Sequence, residues 1–282
     1  MENDGKIHKI SSQGFSLQVD AYEQGRPGYP LDAVHYALKE AGLDTGRKRI
    51  VDLAAGTGKL TRILAQQPNL DVVAVEPNEA MVSKFKALQP NIEIHQAAAH
   101  ALPLEDSSAD AVCAAQAFHW FANEDSLREI YRVLKPAGAF IMFANREDDR
   151  DAWARAILCS FEPYSRGIPQ YWTGEWVNVW RGDYAAEHFD VPRDDPRSRS
   201  VFFEHSVSVT RQQAWARIVS RSYLAILPAE KLAEVKESFQ SVLESNKEKF
   251  HAPDGASSTD ADSEVAEIPL RLEVFVARKK AR

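Results

Sequence analysis

Arg49-Ile50-Val51-Asp52-Leu53-Ala54-Ala55-Gly56-Thr57-Gly58-Lys59-Leu60-Thr61 opens on an apolar strand, turns at two glycines and enters a helical pattern. Asp71-Val72-Val73-Ala74-Val75-Glu76-Pro77 then gives a second apolar strand that ends in a carboxylate, 20 positions after Gly56. Strand, glycine turn, helix, strand and terminal acid make up a nucleoside-binding βαβ unit. Glycine suits the turn because a residue without Cβ lets the chain bend tightly while a ligand approaches the main chain. Glu76, at the tip of the second strand, is placed to accept the two hydroxyls of a ribose.

The fingerprint is not that of a dinucleotide site. Thr61 stands where the third glycine of G-x-G-x-x-G would fall, and Asp52 puts a negative charge beside the turn that would receive a pyrophosphate. A nucleoside with no phosphate and a positive centre fits better, and S-adenosylmethionine (SAM) is such a ligand. Val51-Asp52-Leu53-Ala54-Ala55-Gly56-Thr57-Gly58 resembles the first motif of class I SAM-dependent methyltransferases. Glu76-Pro77-Asn78-Glu79-Ala80-Met81 is similar to that family's ribose motif. Ala99-His100-Ala101-Leu102-Pro103-Leu104 with Asp110-Ala111-Val112 resembles its adenine loop and fourth strand, and Arg132-Val133-Leu134-Lys135-Pro136-Ala137-Gly138 the turn before its fifth. The motifs come in the family's order over roughly residues 45–145. Ala54 departs from a common glycine, and His100 from a common acid.

The composition of the 282 residues, 44% hydrophobic and 27% charged, is that of a globular protein, and the length suits one α/β core with an insertion. No run of eighteen apolar residues and no signal-peptide pattern occurs, so a cytoplasmic, non-membrane protein is expected. Cys113 and Cys159 have neither metal spacing nor a disulfide framework, and no metal is expected. A net charge of −7 without a basic stripe argues against nucleic acid as a partner. An Asp-Pro-Pro-Tyr motif of base methylation is also missing after strand 4, where Ala115-Gln116-Ala117-Phe118-His119-Trp120 stands.

Alternation of strands and helices predicts a Rossmann-like α/β fold, with seven mostly parallel strands between helical layers. The expected divisions are an arm or lid over 1–30, a cofactor core over 31–146, an aromatic helical cap over 147–199 inserted after strand 5, and a C-terminal part of the core over 200–282. Tyr22 to Pro30 reads as too proline-rich for a helix. Residues 251–267, small and acidic, read as a mobile loop, with a last strand from Leu270 to Ala277.

The resemblance implies SAM as cofactor. Asp52, Ala54, Gly56, Thr57 and Gly58 would border its methionine half, Glu76, Pro77, Asn78 and Met81 its ribose and adenine, and Ala99, His100 and Gln116 the adenine edge and sheet end. Tyr22 and Arg26 match a Tyr-x-x-x-Arg-Pro element that folds over the cofactor in small-molecule members, where arginine pairs with the methionine carboxylate. His119 is either a general base or a packing residue. Phe118, Trp120, Trp153, Tyr171, Trp172 and Tyr223 are expected around a small-molecule acceptor. Arg166, Arg181 and Arg221 raise a carboxylated acceptor, as in the trans-aconitate methyltransferase-like relatives. Transfer to oxygen is the first expectation, to nitrogen or carbon the next, by a monomer or homodimer. Two competing readings are a non-catalytic SAM-binding protein and a nicotinamide-dependent oxidoreductase.

Overall fold

Apolar residues on both faces of the strands call for a sheet covered on both sides. The computed structural model, which describes residues 19–253 and 263–280, has that sheet. Strands β1 (Lys48–Leu53), β2 (Leu70–Val75), β3 (Glu93–His95), β4 (Ala109–Ala115) and β5 (Leu134–Glu147) are parallel, in the order β3-β2-β1-β4-β5. The long strand β8 (Val265–Lys279) lies antiparallel against β5. Its other edge is shared end to end by β7 (Ser200–Thr210) and the two-residue β6 (Phe189–Asp190). The sheet therefore has eight strands among the described residues, one more than the sequence pattern gave, because β7 starts opposite Phe275 and leaves room for β6 against Arg278 and Lys279.

Alternate side chains sort into two layers. Ile50, Val72, Ala111, Cys113, Ile141 and Phe143 pack with Tyr29 and with helices α2 (Leu31–Glu40) and α3 (Lys59–Ala65). Val51, Leu53, Val112, Ala114, Phe140 and Met142 face the other way, onto α5 (Glu124–Val133) and the aromatic segment 171–191. α4 (Glu79–Leu88) follows β2.

Much of the expected cap is core. Trp180 is fully buried, 5.7 Å from the Phe140 ring and 5.0 Å from Phe275, and Trp176 lies 5.5 Å from Phe275. Phe118, expected at the acceptor, is also fully buried, with Phe140 at 4.8 Å and Trp180 at 5.8 Å. The reason is area: the sheet face between α5 and β8 must be covered, and large rings bury the most surface per residue. Trp153 is a second correction. Its indole N–H donates to the Glu267 carbonyl, and its ring packs with Phe250 in a third core. That core joins α6 (Ala152–Cys159), α8 (Arg211–Val219) and α10 (Ala229–Ser245) to the start of β8.

Two local expectations also change. Tyr22-Glu23-Gln24-Gly25 is helical, within α1 (Val19–Gly25), because Pro27 and Pro30 restrict only themselves and the residues just before them. Gly25 closes that helix where a Cβ would stand 2.7 Å from the Arg217 backbone, so the arm rests directly on α8. Of the loop expected at 251–267, Val265 to Glu267 belong to β8, held by pairing of Val265 with Thr210, and 254–262 lie outside the described residues, as do 1–18. The remaining helices are α7 (Asp183–His188) and α9 (Ser222–Ala225).

Trp180→Ala should destabilise the protein by about 3–5 kcal/mol in urea unfolding. Leu31→Ala, at a position 53% exposed, should change stability by less than about 0.5 kcal/mol. Equal effects of the two would refute this account of the aromatic segment as core.

Candidate active site

The strand ends gather the first half of the site. Glu76 follows β2, and its carboxylate accepts the Gly56 N–H at one oxygen and the Asn78 N–H at the other, both at 2.9 Å. This ties the glycine turn after β1 to the start of α4. Asn78 caps that helix, accepting from the N–H groups of Ala80 and Met81 at 3.0 and 3.1 Å. Met81 and Ala99 are buried, Pro77 is half-buried and His100 exposed. Asp52 is turned toward α3, where Thr61 donates to it at 2.5 Å and the Cys113 thiol approaches. Ala54, Gly56 and Gln116 all have positive φ near 57°, so the chain ends of β1 and β4 bend in a conformation that costs non-glycine residues of order 1–3 kcal/mol. Gly58 is needed for another reason: a Cβ there would run into Phe85 and Gln89 of the α4 region, and Gln89 donates to the Gly58 carbonyl at 3.0 Å.

Over this turn lies α1. Glu23 latches it, accepting from the Thr57 hydroxyl at 2.5 Å and from Arg62 at 2.8 Å, while Lys59 donates to the Glu23 carbonyl. The Thr57 side chain is thus engaged with the arm. Asp20 adds a contact to Lys84 at 2.8 Å. The latch brings the Tyr22 ring to 3.7 Å from where a Gly56 Cβ would be, and the Arg26 guanidinium stacks over that ring at 5.5 Å.

Tyr22 and Arg26 also line a narrow chamber beyond the sheet end. Gln116, His119 and Trp120 form the wall after β4, and Tyr171, Trp172 and Tyr223 the facing aromatic wall. Eight of the expected site residues meet there. Phe118 and Trp153 do not, and Arg166 and Arg181 are exposed elsewhere. Tyr171 is fixed from behind, since its hydroxyl donates to the fully buried Glu273, which Arg197 and Ser200 also bind.

A Methyltransferase domain model matches residues 51–142. An uncharacterized methyltransferase of Mycobacterium tuberculosis is 40% identical over 219 residues, 78% of this chain and 81% of that one. An uncharacterized methyltransferase-like protein of Schizosaccharomyces pombe is 36% identical over 175 residues, 62% and 68% of the two chains. The chain belongs to the class I SAM-dependent methyltransferases. It is a methyltransferase with SAM as its methyl donor. A solved structure from Anaeromyxobacter dehalogenans shares the fold, with a TM-score of 0.56 at 19% identity over 91% of this chain and 97% of that one. Among the described residues no helix is long and apolar enough to cross a membrane, and no group of three or more His, Cys, Asp or Glu is arranged to hold a metal ion.

Most of the chamber's polar floor is what the sequence reading missed, Arg221 and Gln116 being the members it named. β5 runs past Ala144 to deliver Asn145, Arg146 and Glu147, and α8, the turn after it and the start of α9 supply Arg217, Arg221 and Ser222. Glu147 is buried between Arg217, at 3.0 and 3.1 Å, and Arg221, at 2.7 Å. Burial alone would raise its pKa, but the two guanidiniums hold it well below the carboxylate range. The signal available was a charged Asn-Arg-Glu tail on an apolar strand, paired with arginines four apart in the helical pattern at 217 and 221. A second limb of the floor runs from the Gln116 side chain to the Asn145 carbonyl at 2.7 Å, and from the Asn145 amide to Gly28 at 3.1 Å.

Burial, with Arg26 nearby, pushes His119 down to about 3, which leaves it unsuited to take a proton near neutral pH. Burial pushes Glu76 up to about 7 against its two backbone hydrogen bonds. A carboxylate whose folded pKa is raised stabilises the fold fully below its ordinary 4.5, and that contribution is lost as pH rises through about 7. The ligand-free protein should therefore lose stability in urea between about pH 5 and 8, and Glu76→Gln should lose measurably less over that window. Parallel pH profiles would show that Glu76 ionises at its ordinary value.

Proposed function

We propose that the acceptor is a small molecule bound in the chamber, and that the methyl group passes to an oxygen. SAM supplies a methyl group on a sulfonium, an already activated leaving group, so orientation carries most of the acceleration required of the protein. The donor set suits that cofactor. Each Glu76 oxygen accepts one backbone N–H and keeps lone-pair capacity for a ribose hydroxyl, and the bend at Gly56 leaves main chain open to approach. In this reading Glu76 holds the ribose, Asn78, Met81 and Ala99 border the adenosine, and Ala54, Gly56 and Gln116 flank the methionine half.

The observation that carries the proposal is the double position of Tyr22 and Arg26. Tyr22 lies against the glycine turn with Arg26 stacked on its ring, and both line the chamber, so the two halves meet at one arm. Trp120, Trp172, Tyr171 and Tyr223 then exclude water from the acceptor side, which strengthens electrostatic interactions inside. His119 serves as a neutral wall residue in this account. Carbon methylation has relatives in its favour: a demethylmenaquinone methyltransferase of Thermus thermophilus is 38% identical, but over only 36% of this chain. A cationic, hydrogen-bonding floor favours an oxygen acceptor over a quinone ring.

Glu76→Ala should weaken binding of the product S-adenosylhomocysteine (SAH) about 10- to 100-fold in calorimetry, the loss of a charge-assisted pair worth roughly 1.5–3 kcal/mol. Trp172→Ala should leave SAH affinity unchanged and lower methyl transfer from labelled SAM to a panel of small hydroxy and carboxylic acids. Undiminished transfer by Trp172→Ala would remove the chamber from the acceptor path, and undiminished SAH affinity in Glu76→Ala would remove Glu76 from the cofactor site.

A further inference from the structure

Buried donors without partners collect in one place. Arg217 Nη1, Tyr223 Oη, Gln170 Nε2, Arg26 Nε and Arg146 Nε all lack a hydrogen-bond partner, and all five residues line the chamber. Arg217, Tyr223 and Gln170 are each more than nine-tenths buried. An unmade hydrogen bond of this kind costs about 1–3 kcal/mol, and of the eight buried side-chain atoms without a partner among the described residues five belong to this one cavity, the others being Trp176 Nε1, Trp180 Nε1 and Arg271 Nε. All but the tyrosine hydroxyl are donors that cannot accept.

The charges are unbalanced in the same direction. Arg26, Arg217 and Arg221 line the chamber with Glu147 as the single carboxylate among its lining residues, which leaves two positive charges over. Arg146 adds none, because Glu162 binds it at 2.8 Å and Asp149 at 3.5 Å on its outer side. If Arg26 takes the carboxylate of the cofactor, one excess guanidinium charge remains, over the Arg217–Arg221 pair. Buried cationic donors without acceptors call for an anion with several lone pairs, and a planar carboxylate meets an arginine fork and a phenol together.

We propose that the acceptor is a carboxylate-bearing small molecule, and that Arg217, Tyr223 and Gln170 are the groups that bind its carboxylate. This rests on the chamber being the acceptor site. The absence of a suitable base supports it: His119 is a weak base, Glu147 is locked between two guanidiniums, and burial raises the phenols of Tyr22, Tyr171 and Tyr223. An acceptor that arrives ionised has no proton to give up when its oxygen takes the methyl group. Of the three arginines that first suggested such an acceptor, Arg221 lines the chamber, paired with Glu147, while Arg166 and Arg181 are exposed elsewhere.

The test compares benzoate and cinnamate with benzamide and cinnamamide, titrated by calorimetry into SAH-saturated protein. The acids should bind at least about tenfold more tightly than the amides. Tyr223→Phe should remove about fivefold of that preference while leaving SAH affinity unchanged, and its unfolding temperature should stay level or rise, because the deleted hydroxyl has no partner to lose. Arg217→Lys should remove more, and Tyr223→Phe keeps the test sound should that variant fold poorly beside Glu147. Amides that bind as well as the acids, or a Tyr223→Phe protein with undiminished preference, would overturn the anion while keeping the chamber as acceptor site. Loss of SAH affinity in Tyr223→Phe would assign the hydroxyl to the cofactor and overturn the proposal. Binding of neither acids nor amides would refute the acceptor site itself, and the proposal with it.

Discussion

Glu147 is a carboxylate almost wholly out of water, and the site is assembled around its two arginines. It ends β5, while Arg217 and Arg221 come from the helical region after β7, some 70 residues later. Taking three charges out of water costs several kcal/mol for each ion, and the cost is recovered only where geometry and hydrogen bonding are good. Removing one partner would strand the others. The triad therefore fixes where α8 meets the sheet. α8 in turn carries the arm, through the close backbone approach at Gly25, and the arm carries Tyr22 to the glycine turn with Arg26 stacked on its ring. A chain of contacts runs from one buried carboxylate to both halves of the site.

The arm has a second fixing point, two residues before Gly25. Glu23 joins three groups of the turn and the first part of α3, so α1 is held at its base by α8 and along its side by the nucleotide-binding unit. Opening the site requires that one of these break. The Glu23 contacts are the more exposed and hence the weaker, since partly solvated ion pairs contribute little while buried backbone packing does not yield.

The three cores divide the work between stability and recognition. Trp176, Trp180 and Phe118 complete the sheet's cover and do not line the chamber. Tyr223, buried in the third core, and Trp172, half-buried against it, have ring centroids 6.5 Å apart, and both line the chamber. The aromatic richness of 153–184 is thus mostly a packing requirement, from which a few rings were left over to form a wall.

The sequence by itself determined the nucleotide-binding unit. A period-two apolar strand, glycines at a fixed offset and an acid at the next strand end are local constraints, imposed by backbone geometry over some thirty residues, and Asp52, Gly56 and Glu76 could be located from them. The same locality explains the misreadings. Prolines at 27 and 30 gave no information on the helix before them, and an aromatic looks alike in sequence whether it meets a ligand, as Trp172 can, or the sheet, as Phe118 and Trp153 do. Only tertiary structure decided the chamber floor: Glu147, Arg217 and Gln170 are ordinary surface residue types, far apart in the chain. Their burial and pairing depend on β5 overrunning its partner and on α8 crossing its end. Which polar groups are forced out of water, and which of them are left without a partner, is a property of packing across the whole chain rather than of any segment of it.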